Sequence, residues 1–496
     1  MAGEEAEISD LPVVREMLIG GSLEAGHGDL LTVINPGTGQ PAAAFPGASP
    51  DQFRAAIAAA RRAYDDGRWA GLTRSERVAI LDRFLAAVRR ETAGFRSLVV
   101  AETGCPAGSM VLDHQVNVPL EQVQGALGLF LALPEIEENP LPLHERVTAQ
   151  GNAVQSFRRY VPVGVVSAIT AYNFPINMAL WKLVPALAAG NCLVLRPSPL
   201  TPLSALALAR AAEEAGIPPG VLNIVAEAGS EGAVLMTTDP DIDMVAFTGS
   251  TGVGMKVMEQ AAATMKRLQL ELGGKSAQIY LPDRLEAATY AALSVLMGHA
   301  GQGCVLGTRI FVPEEAKEEL LKSMTQPLAA LRIGDPLHPS TVMSPVVSQA
   351  QLARCERYVQ LAVDAGARIV TGGKTVARPG FYFEPTILDV PDNSNPAAQD
   401  EIFGPVVCVI GYRDIDHAVE MANDSSLGLS GYVFGKDTRR ALEVATRLRT
   451  GTVNVNGAFA SAFASSGGHK HSGVGRERGV EGFRIYQDIQ CVNLQS

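Results

Sequence analysis

The sequence predicts an α/β fold with two α/β domains, and three observations predict it. The chain has 496 residues, which is long for a single core, so two or more domains are expected. From residue 163 onward, short apolar strands alternate with helices of the length needed to cross a parallel sheet. After Gly273-Gly274 the alternation starts afresh, which indicates the second domain.

The first domain is marked by five short apolar strands, a composition typical of strands that are buried on both faces of a sheet. The strands are predicted at 165–169, 192–195, 222–225, 244–247 and 268–271. The helices between them are predicted at 176–189, 203–215, 230–237 and 252–263. Because ligands of such sheets bind beyond the carboxyl ends of the strands, function is expected in the turns that follow the strands.

Other segments complete the predicted organisation. Helical periodicity is present at 50–67, 75–101, 285–299, 313–331 and 348–365, and a further strand is predicted at 310–312. Segments 152–160 and 489–494 resemble strands but have no hairpin partner nearby in the chain. Because unpaired strand edges invite pairing with another chain, both segments are predicted to lie at a subunit interface.

Composition excludes several classes of function. The formal charge of −11 and the absence of any run of five lysines or arginines argue against nucleic acid and anionic membranes as partners. Segment Met1–Glu7 lacks the apolar core of a signal peptide, and no uncharged apolar stretch reaches the ~18 residues that span a bilayer, so a cytoplasmic location is expected. The six cysteines include no Cys-x-x-Cys pair, so neither a disulfide framework nor a metal site is expected.

Two segments could carry chemistry. The run Gly-Ser-Thr-Gly-Val-Gly at 249–254 follows a strand and opens a helix, so it could bind a phosphate or be an ordinary tight turn. Cys304 ends the run Gly-Gln-Gly-Cys after a helical stretch. It could be a nucleophile or a buried structural thiol.

Two further side chains stand at predicted strand ends. Glu271 closes the fifth strand just before the predicted domain junction, where it could face a cleft or simply be solvated. Asn173 follows the first strand, where its side chain could cap the next helix or donate to an oxyanion.

Eight motifs in one order make the sequence resemble the aldehyde dehydrogenase superfamily across nearly its whole length. They are Asn35-Pro36-Gly37-Thr38-Gly39, Glu102-Thr103-Gly104, Asn173-Phe174-Pro175, Phe247-Thr248-Gly249-Ser250, Glu271-Leu272-Gly273-Gly274-Lys275-Ser276, Gly301-Gln302-x-Cys304, Glu401-Ile402-Phe403-Gly404-Pro405-Val406 and Ser472-Gly473-x-Gly475-Arg476-Glu477. The resemblance implies a Rossmann-like NAD(P)-binding domain at 1–143 and 163–272, a catalytic domain at 273–473, and oligomerisation strands at 144–162 and 484–496. It also implies a homodimer or homotetramer that oxidises an aldehyde to a carboxylic acid.

The resemblance assigns roles to single residues. Cys304 would attack the aldehyde carbon, and Asn173 with the backbone N–H of Cys304 would hold the oxyanion. Hydride would pass to the nicotinamide, and Glu271 would activate the water that hydrolyses the thioester. Lys182 and Glu477 match positions that hold the cofactor end or relay protons, and a surface ion pair is an equal alternative.

The same resemblance implies a set of cofactor-binding residues at the strand ends, in the Gly-rich turn and in the Glu-x-Phe motif. They are Thr170, Ala171, Tyr172, Arg196, Ser198, Gly229, Phe247, Thr248, Gly249, Ser250, Gly254, Leu272, Gly273, Glu401 and Phe403. Ser250 would bind the pyrophosphate, and Glu401 and Phe403 the nicotinamide ribose and ring.

One departure from the family concerns the choice of cofactor. The family commonly has Lys at 196 and Glu at 199, which hold the adenosine ribose, but this chain has Arg196 and Pro199. A carboxylate at 199 would repel a 2′-phosphate, whereas a guanidinium binds phosphate well. NADP could therefore be used. Because the family has many NAD users with varied residues at these positions, NAD is expected, and NADP stays open.

The positions that match the family's substrate pocket are mostly apolar or small. They are Tyr172, Asn177, Met178, Trp181, Gly303, Val305, Phe459 and Phe463. Because the nearest charge identified is Lys182, an uncharged aldehyde, aromatic or of medium chain length, is expected rather than a semialdehyde that carries a carboxylate. Ser465-Ser466 stand where the family usually has Pro and an aromatic residue, which opens the pocket.

Three alternatives predict other residues. A CoA-acylating semialdehyde dehydrogenase would tend to lack the general base that Glu271 provides. A catalytically silent structural or binding relative would be expected to lack Cys304, Asn173 or Glu271. A thiol esterase without a cofactor would not need the turn at 249–254.

Overall fold

The structure is a computed structural model that describes residues 15–458 and 461–496. Two parts of the sequence analysis, the segment Met1–Glu7 and the pocket residue Phe459, lie outside these ranges. Within them, no helix is both long enough and apolar enough to cross a membrane.

The chain before residue 163 forms two hairpins, a group of helices and two strands of a small sheet. In chain order the elements are β1 (Glu16–Ile19), β2 (Ser22–Ala25), β3 (Leu30–Asn35), β4 (Gln40–Pro46), α1 (Pro50–Asp65), α2 (Arg74–Arg90), α3 (Thr92–Thr103), α4 (Met110–Gln115), α5 (Asn117–Ala132), β5 (Ile136–Glu138) and β6 (Val154–Pro162). Capping boxes that begin at Ser49 and Thr73 start α1 and α2.

The alternating strands and helices of the first domain follow. They are β7 (Val165–Ile169), α6 (Pro175–Ala188), β8 (Cys192–Arg196), α7 (Leu203–Ala215), β9 (Leu222–Ile224), α8 (Glu231–Thr238), β10 (Met244–Thr248), α9 (Thr251–Ala262) and β11 (Arg267–Glu271). No boundary differs from the sequence prediction by more than one residue. The predicted α/β fold is confirmed.

The second domain has the same alternation, and the chain then returns to the first. The elements are β12 (Ala277–Tyr280), α10 (Ala287–Met297), β13 (Arg309–Pro313), α11 (Glu314–Ala329), α12 (Gln349–Asp364), β14 (Arg368–Thr371), β15 (Thr386–Val390), α13 (Pro396–Gln399), β16 (Val406–Tyr412), α14 (Ile415–Asn423), β17 (Leu427–Gly428), β18 (Ser430–Phe434), α15 (Thr438–Ala445), β19 (Thr452–Val455), β20 (His469–Lys470), β21 (Gly473–Val474), α16 (Gly479–Arg484) and β22 (Gln487–Gln495).

Two large sheets organise the molecule. The first has the order β2-β1-β9-β8-β7-β10-β11-β21 and is parallel from β9 to β11. The second has the order β14-β15-β16-β13-β12-β18-β19 and is parallel except at β14. Strand order in the first sheet reverses between β7 and β10, which is where a parallel sheet opens a ligand crevice. Apolar side chains cover both faces of each sheet.

The small sheet corrects one expectation. The segments treated above as unpaired strands pair with each other, since β22 runs antiparallel to β6 along its whole length and β5 lies on the other side of β6. Ser156 and Asn493, which face each other in this pair, are 337 residues apart in the chain, so no local turn could reveal the pairing. The interface role of this sheet stays a prediction.

A buried arginine ties the crossover between the two domains to the second sheet. Arg309, 2% exposed at the start of β13, donates through Nε to the carbonyl of Lys275 at 2.8 Å. Its Nη atoms donate to Asn393 Oδ1 at 2.8 Å and to the carbonyl of Ala422 at 3.0 Å. One planar guanidinium therefore fixes three separate segments.

We expect Arg309→Lys to lower the free energy of unfolding by about 2–4 kcal/mol, because a single ammonium leaves buried carbonyls without donors. Denaturant unfolding of the two forms measures the difference. Arg210→Lys, on the exposed side of α7, is the control and should leave the midpoint unchanged. Equal midpoints for all three proteins would show that the guanidinium contacts do not stabilise the fold.

Candidate active site

Cys304 lies in a loop of the second domain whose path is fixed from two sides. Gly301 has a φ of 72°, and a Cβ there would lie 2.1 Å from the carbonyl oxygen of Gly404. A glycine is therefore required for the two segments to touch. On the other side, the side chain of Gln302 accepts the N–H of Val347 at 2.9 Å.

Asn173 reaches this loop from the end of β7. Its Nδ2 donates to the carbonyl of Gln302 at 2.8 Å, and its own carbonyl accepts from Gln115 at 2.7 Å. Phe174, not Asn173, occupies the N-cap position of α6, so the capping alternative is wrong. The amide has a second hydrogen, which is available for a ligand beside Cys304.

Two glycines bring the end of β11 against the Cys304 loop. A Cβ at Gly273 would lie 2.5 Å from Glu401 Oε2, and one at Gly274 would lie 2.4 Å from the carbonyl oxygen of Cys304. The N–H of Gly274 donates to Glu401 Oε1 at 2.9 Å. Ser472 Oγ, from the returning chain, donates to the carbonyl of Gly273 at 2.6 Å. Glu401, Cys304 and the end of β11 thus meet at one place.

The partly exposed Cys304 stands in surroundings that oppose ionisation of its thiol. Loss of solvent around the sulfur, and then the negative charges of Glu401 and Glu271, raise the pKa of Cys304 to about 12. The backbone N–H groups of Cys304 and Val305 act in the opposite direction. The thiol is therefore protonated at neutral pH, and its use as a nucleophile requires a base.

Glu271 is a base of suitable strength. Its Oε1 has no hydrogen-bond partner in the described part of the chain. Burial, and then the charge of Glu477, raise the pKa of Glu271 well above its usual range, while Lys182 lowers it. A carboxylate with a raised pKa accepts a proton more readily near neutral pH.

Lys182 and Glu477 form an ion pair beside Glu271. Lys182 Nζ lies 3.3 Å from Glu477 Oε1 and donates to Gln269 Oε1 at 3.1 Å. The Lys182 side chain is fully buried and that of Glu477 is 15% exposed, so the two residues do form an ion pair, but not the surface pair that was the alternative to a relay. The pair is buried because α6 packs Lys182 against β11. Its use as a proton relay stays a prediction.

The Gly-rich turn leaves room and donors for a phosphate. Ser250 is the N-cap of α9, but its side chain accepts no helix N–H. A Cβ at Gly252 or Gly229 would meet open space, whereas one at Gly249 would lie 2.3 Å from the ring of Phe247. The uncapped N–H groups at the start of α9, at the carboxyl end of β10, therefore fit a dinucleotide phosphate.

The other residues expected at the cofactor line the same edge. The rings of Tyr172 and Phe403 meet edge to face with centroids 5.8 Å apart, and Phe403 has a φ of 61°. Gly274, Gly303, Glu401 and Phe403 line a small cavity beside the Cys304 loop. Thr170 and Ala171 follow β7, Ser198 follows β8, and Thr248 ends β10. Leu272 packs against Gly254, since a Cβ at Gly254 would lie 2.5 Å from the Leu272 side chain.

At the carboxyl ends of β8 and β9 the structure contains an ion pair that the sequence did not reveal. Arg196 Nε donates to Glu227 Oε1 at 3.1 Å, and Nη2 donates to the carbonyl of Gly229 at 2.8 Å. Position 199, where the family commonly has a carboxylate, is Pro199. Glu227, three residues after β9, supplies one, and its link to Arg196 was invisible because 31 residues separate them.

The expected pocket residues vary in exposure. Trp181 is fully buried, while Val305 and Phe463 are 45% and 54% exposed. The guanidinium of Arg478 lies 4.9 Å from the centre of the Trp181 ring, so the pocket region holds a charge besides Lys182 that the sequence analysis missed. Tyr172, Asn177, Met178 and Gly303 are partly exposed.

Tyr432 is another residue that no motif indicated. Its hydroxyl donates to the carbonyl of Val305 at 2.8 Å, and burial, with the nearby Cys304, raises the pKa of Tyr432 to about 12. It reaches the loop because β18 pairs with β12 in the second sheet, a neighbourhood that the sequence order does not reveal.

The family model, the similar sequences and the similar structures are all those of aldehyde-oxidising dehydrogenases. Residues 24–492 match the aldehyde dehydrogenase family. Betaine aldehyde dehydrogenase of Bacillus subtilis is 33% identical, with 95% of each chain covered. Geranial dehydrogenase of Castellaniella defragrans is 37% identical, with 93% of this chain and 95% of the relative covered. A cysteine-to-alanine variant of aldehyde dehydrogenase C from Pseudomonas syringae, solved with NAD+ and octanal, superposes with a TM-score of 0.90 at 34% identity, covering 97% of this chain and 96% of the other. The chain belongs to the aldehyde dehydrogenase family.

Proposed function

We propose that this protein oxidises an aldehyde to a carboxylic acid with NAD+ through a thioester on Cys304. The observation that carries the proposal is that Asn173 and Glu271 both lie near the Cys304 loop. Asn173 donates to the carbonyl of Gln302, two residues before Cys304. Glu271, with its raised pKa and unpartnered Oε1, stands within electrostatic reach of the same thiol.

In the first step Cys304 gives its proton to Glu271 and the sulfur forms a bond to the aldehyde carbon. The carbonyl oxygen becomes an oxyanion, which accepts from Asn173 Nδ2 and from the backbone N–H of Cys304. NAD+, when bound along the edge from α9 to Glu401, supplies the acceptor for the hydride that leaves this carbon.

Before the second step, the proton that Glu271 took from Cys304 has to leave the carboxyl group. Glu271 then takes a proton from a water molecule whose oxygen attacks the thioester carbon. The carbon–sulfur bond breaks, the carboxylic acid leaves and Cys304 takes that proton back from Glu271. The buried pair of Lys182 and Glu477 would carry the proton away from Glu271, since Lys182 lowers and Glu477 raises the pKa of that carboxyl.

We propose an uncharged aldehyde of medium chain length or with an aromatic ring as the substrate. The exposed apolar side chains of Val305 and Phe463 support this, as do relatives described with octanal and geranial. Arg478 favours a second candidate, an aldehyde that carries a carboxylate, because its guanidinium lies against the ring of Trp181 and brings a positive charge to the expected pocket. The same charge disfavours a cationic aldehyde.

We propose that the protein forms a homodimer or homotetramer through the sheet of β5, β6 and β22. The outer strand β22 is exposed along most of its length, with Ile489 61% and Leu494 53% exposed. Its free edge is suited to pairing with a second copy. The cytoplasmic location expected from the sequence stays a prediction.

Mutation of the nucleophile and of the base should have different kinetic results. Cys304→Ala should abolish formation of reduced nicotinamide from octanal, because no thioester forms. Glu271→Gln should give a slowed burst of reduced cofactor, because the thiol has lost its base, and then a still slower steady state, because the thioester persists. Stopped-flow absorbance measures both, and Cys491→Ala, which removes an exposed thiol, is the control. Full turnover in Glu271→Gln, or turnover that depends on added CoA, would contradict the proposed hydrolysis.

Substrate charge separates the two candidate classes. We expect kcat/KM for octanal or benzaldehyde to exceed that for succinic semialdehyde by about tenfold or more, since burial of an unmatched carboxylate is costly. The measurements use wild type, Arg478→Gln and the surface control Arg210→Gln. A preference for succinic semialdehyde that Arg478→Gln alone removes would establish the acidic substrate instead.

Charge on the exposed strand should disturb assembly. Ile489→Lys combined with Leu494→Lys should reduce the molar mass measured by light scattering, because two ammonium groups oppose burial of β22. Leu442→Lys, at an equally exposed position on α15, is the control. An unchanged molar mass for the β22 variant, or a monomeric wild type, would show that this sheet is not the interface.

A further inference from the structure

The carboxyl ends of β8 and β9 carry a buried ion pair that the proposed chemistry does not use. Arg196 and Glu227 approach to 3.1 Å, with side chains that are 9% and 6% exposed. A second donor of the guanidinium is taken by the carbonyl of Gly229 at 2.8 Å. Burial of such a pair is costly unless each partner is hydrogen-bonded, and both are.

Glu227 is fixed from its other side as well. The N–H of Gly232 donates to Oε2 at 2.8 Å, and the N–H of Ala233 donates to Oε1 at 3.0 Å. Both donors belong to the first turn of α8, whose positive end favours a negative charge. The carboxylate is therefore held in place whether or not Arg196 moves.

The pair lies where it could distinguish a 2′-hydroxyl from a 2′-phosphate. A dinucleotide on a parallel sheet places its adenosine ribose at strand ends of this kind, where an acidic side chain accepts from the 2′-hydroxyl and an arginine accommodates a 2′-phosphate. Here both residue types are present and bonded to each other. A 2′-phosphate would meet the carboxylate of Glu227 and a guanidinium whose charge is already neutralised.

We propose that Glu227, by pairing with Arg196, selects NAD+ over NADP+. The inference rests on the proposed function, because it presumes that the nucleotide binds along this edge. Glu227 supplies the negative charge that a carboxylate at 199 would supply. Arg196 holds Glu227 in position and does not bind a phosphate. Loss of the Glu227 charge would free Arg196 for the 2′-phosphate.

Binding of fragments tests this without turnover. Full-length protein is titrated calorimetrically with ADP-ribose and with 2′-phospho-ADP-ribose, in the absence of aldehyde. We expect wild type to bind ADP-ribose at least about tenfold more tightly. Glu227→Gln should reduce that ratio about tenfold, chiefly by tighter binding of the phosphorylated ligand. Adding Arg196→Ala to Glu227→Gln should remove the gain.

The control is Glu231→Gln, which deletes an exposed carboxylate at the start of the same helix and should keep the wild-type ratio. If Glu227→Gln and Glu231→Gln change the ratio of affinities equally, the effect comes from the general electrostatic field at the start of α8. That result would overturn the proposed role of the Arg196–Glu227 pair. Equal affinity of wild type for the two ligands overturns the inference and leaves the proposed function standing. Failure of wild type to bind either ligand overturns both. The ratio of kcat/KM for NAD+ and NADP+ should move in parallel with the affinities.

Discussion

The close approach of the backbone at Gly273-Gly274 to its neighbours sets the geometry of the whole site. Positions 273 and 274 are the places where a Cβ would meet Glu401 and the Cys304 carbonyl at about two-thirds of a normal contact distance. Since Gly273-Gly274 follows β11 almost directly, the base at the end of that strand and the nucleophile in the second domain are positioned by the same short piece of backbone. Side chains orient the groups, but the missing Cβ atoms allow them to meet.

That crowding has an electrostatic consequence. Burial raises the pKa of both Cys304 and Glu271, so the thiol keeps its proton in the resting protein and the ionised carboxylate of Glu271 has an increased affinity for a proton. One proton moving from thiol to carboxylate creates a charge that Asn173 and the backbone N–H groups are arranged to meet. Lys182 remains beside Glu271 despite full burial because Glu477 and Gln269 bond its ammonium.

The sequence is sufficient for those parts of the fold that depend on local pattern. Most strands of the parallel core are short apolar runs, and α6, α7 and α8 are followed within two residues by a glycine or a proline, so these elements could be predicted nearly to the residue. Cys304, Glu271 and Asn173 could be named because they lie within or beside short motifs. Long-range partners could not: the pairing of β6 with β22, the contact of Tyr432 with Val305 and the stacking of Arg478 on Trp181 all join segments distant in sequence. Glu227 was missed for the same reason, because the role proposed for it depends on its contact with Arg196, which is 31 residues away in the chain.

The two helices that begin at the ligand edge show how the same local geometry is put to opposite uses. Both α8 and α9 start just after parallel strands and present a positive end. At α9 the N-cap side chain of Ser250 does not accept from the helix N–H groups, so these N–H groups can donate to an external anion. At α8 Glu227 already occupies the N–H groups of Gly232 and Ala233 and neutralises Arg196 at the same time. An incoming phosphate therefore finds attraction at one helix and a fixed carboxylate at the other. If a dinucleotide binds along this edge as proposed, these fixed charges would favour a phosphate at α9 and disfavour one at α8.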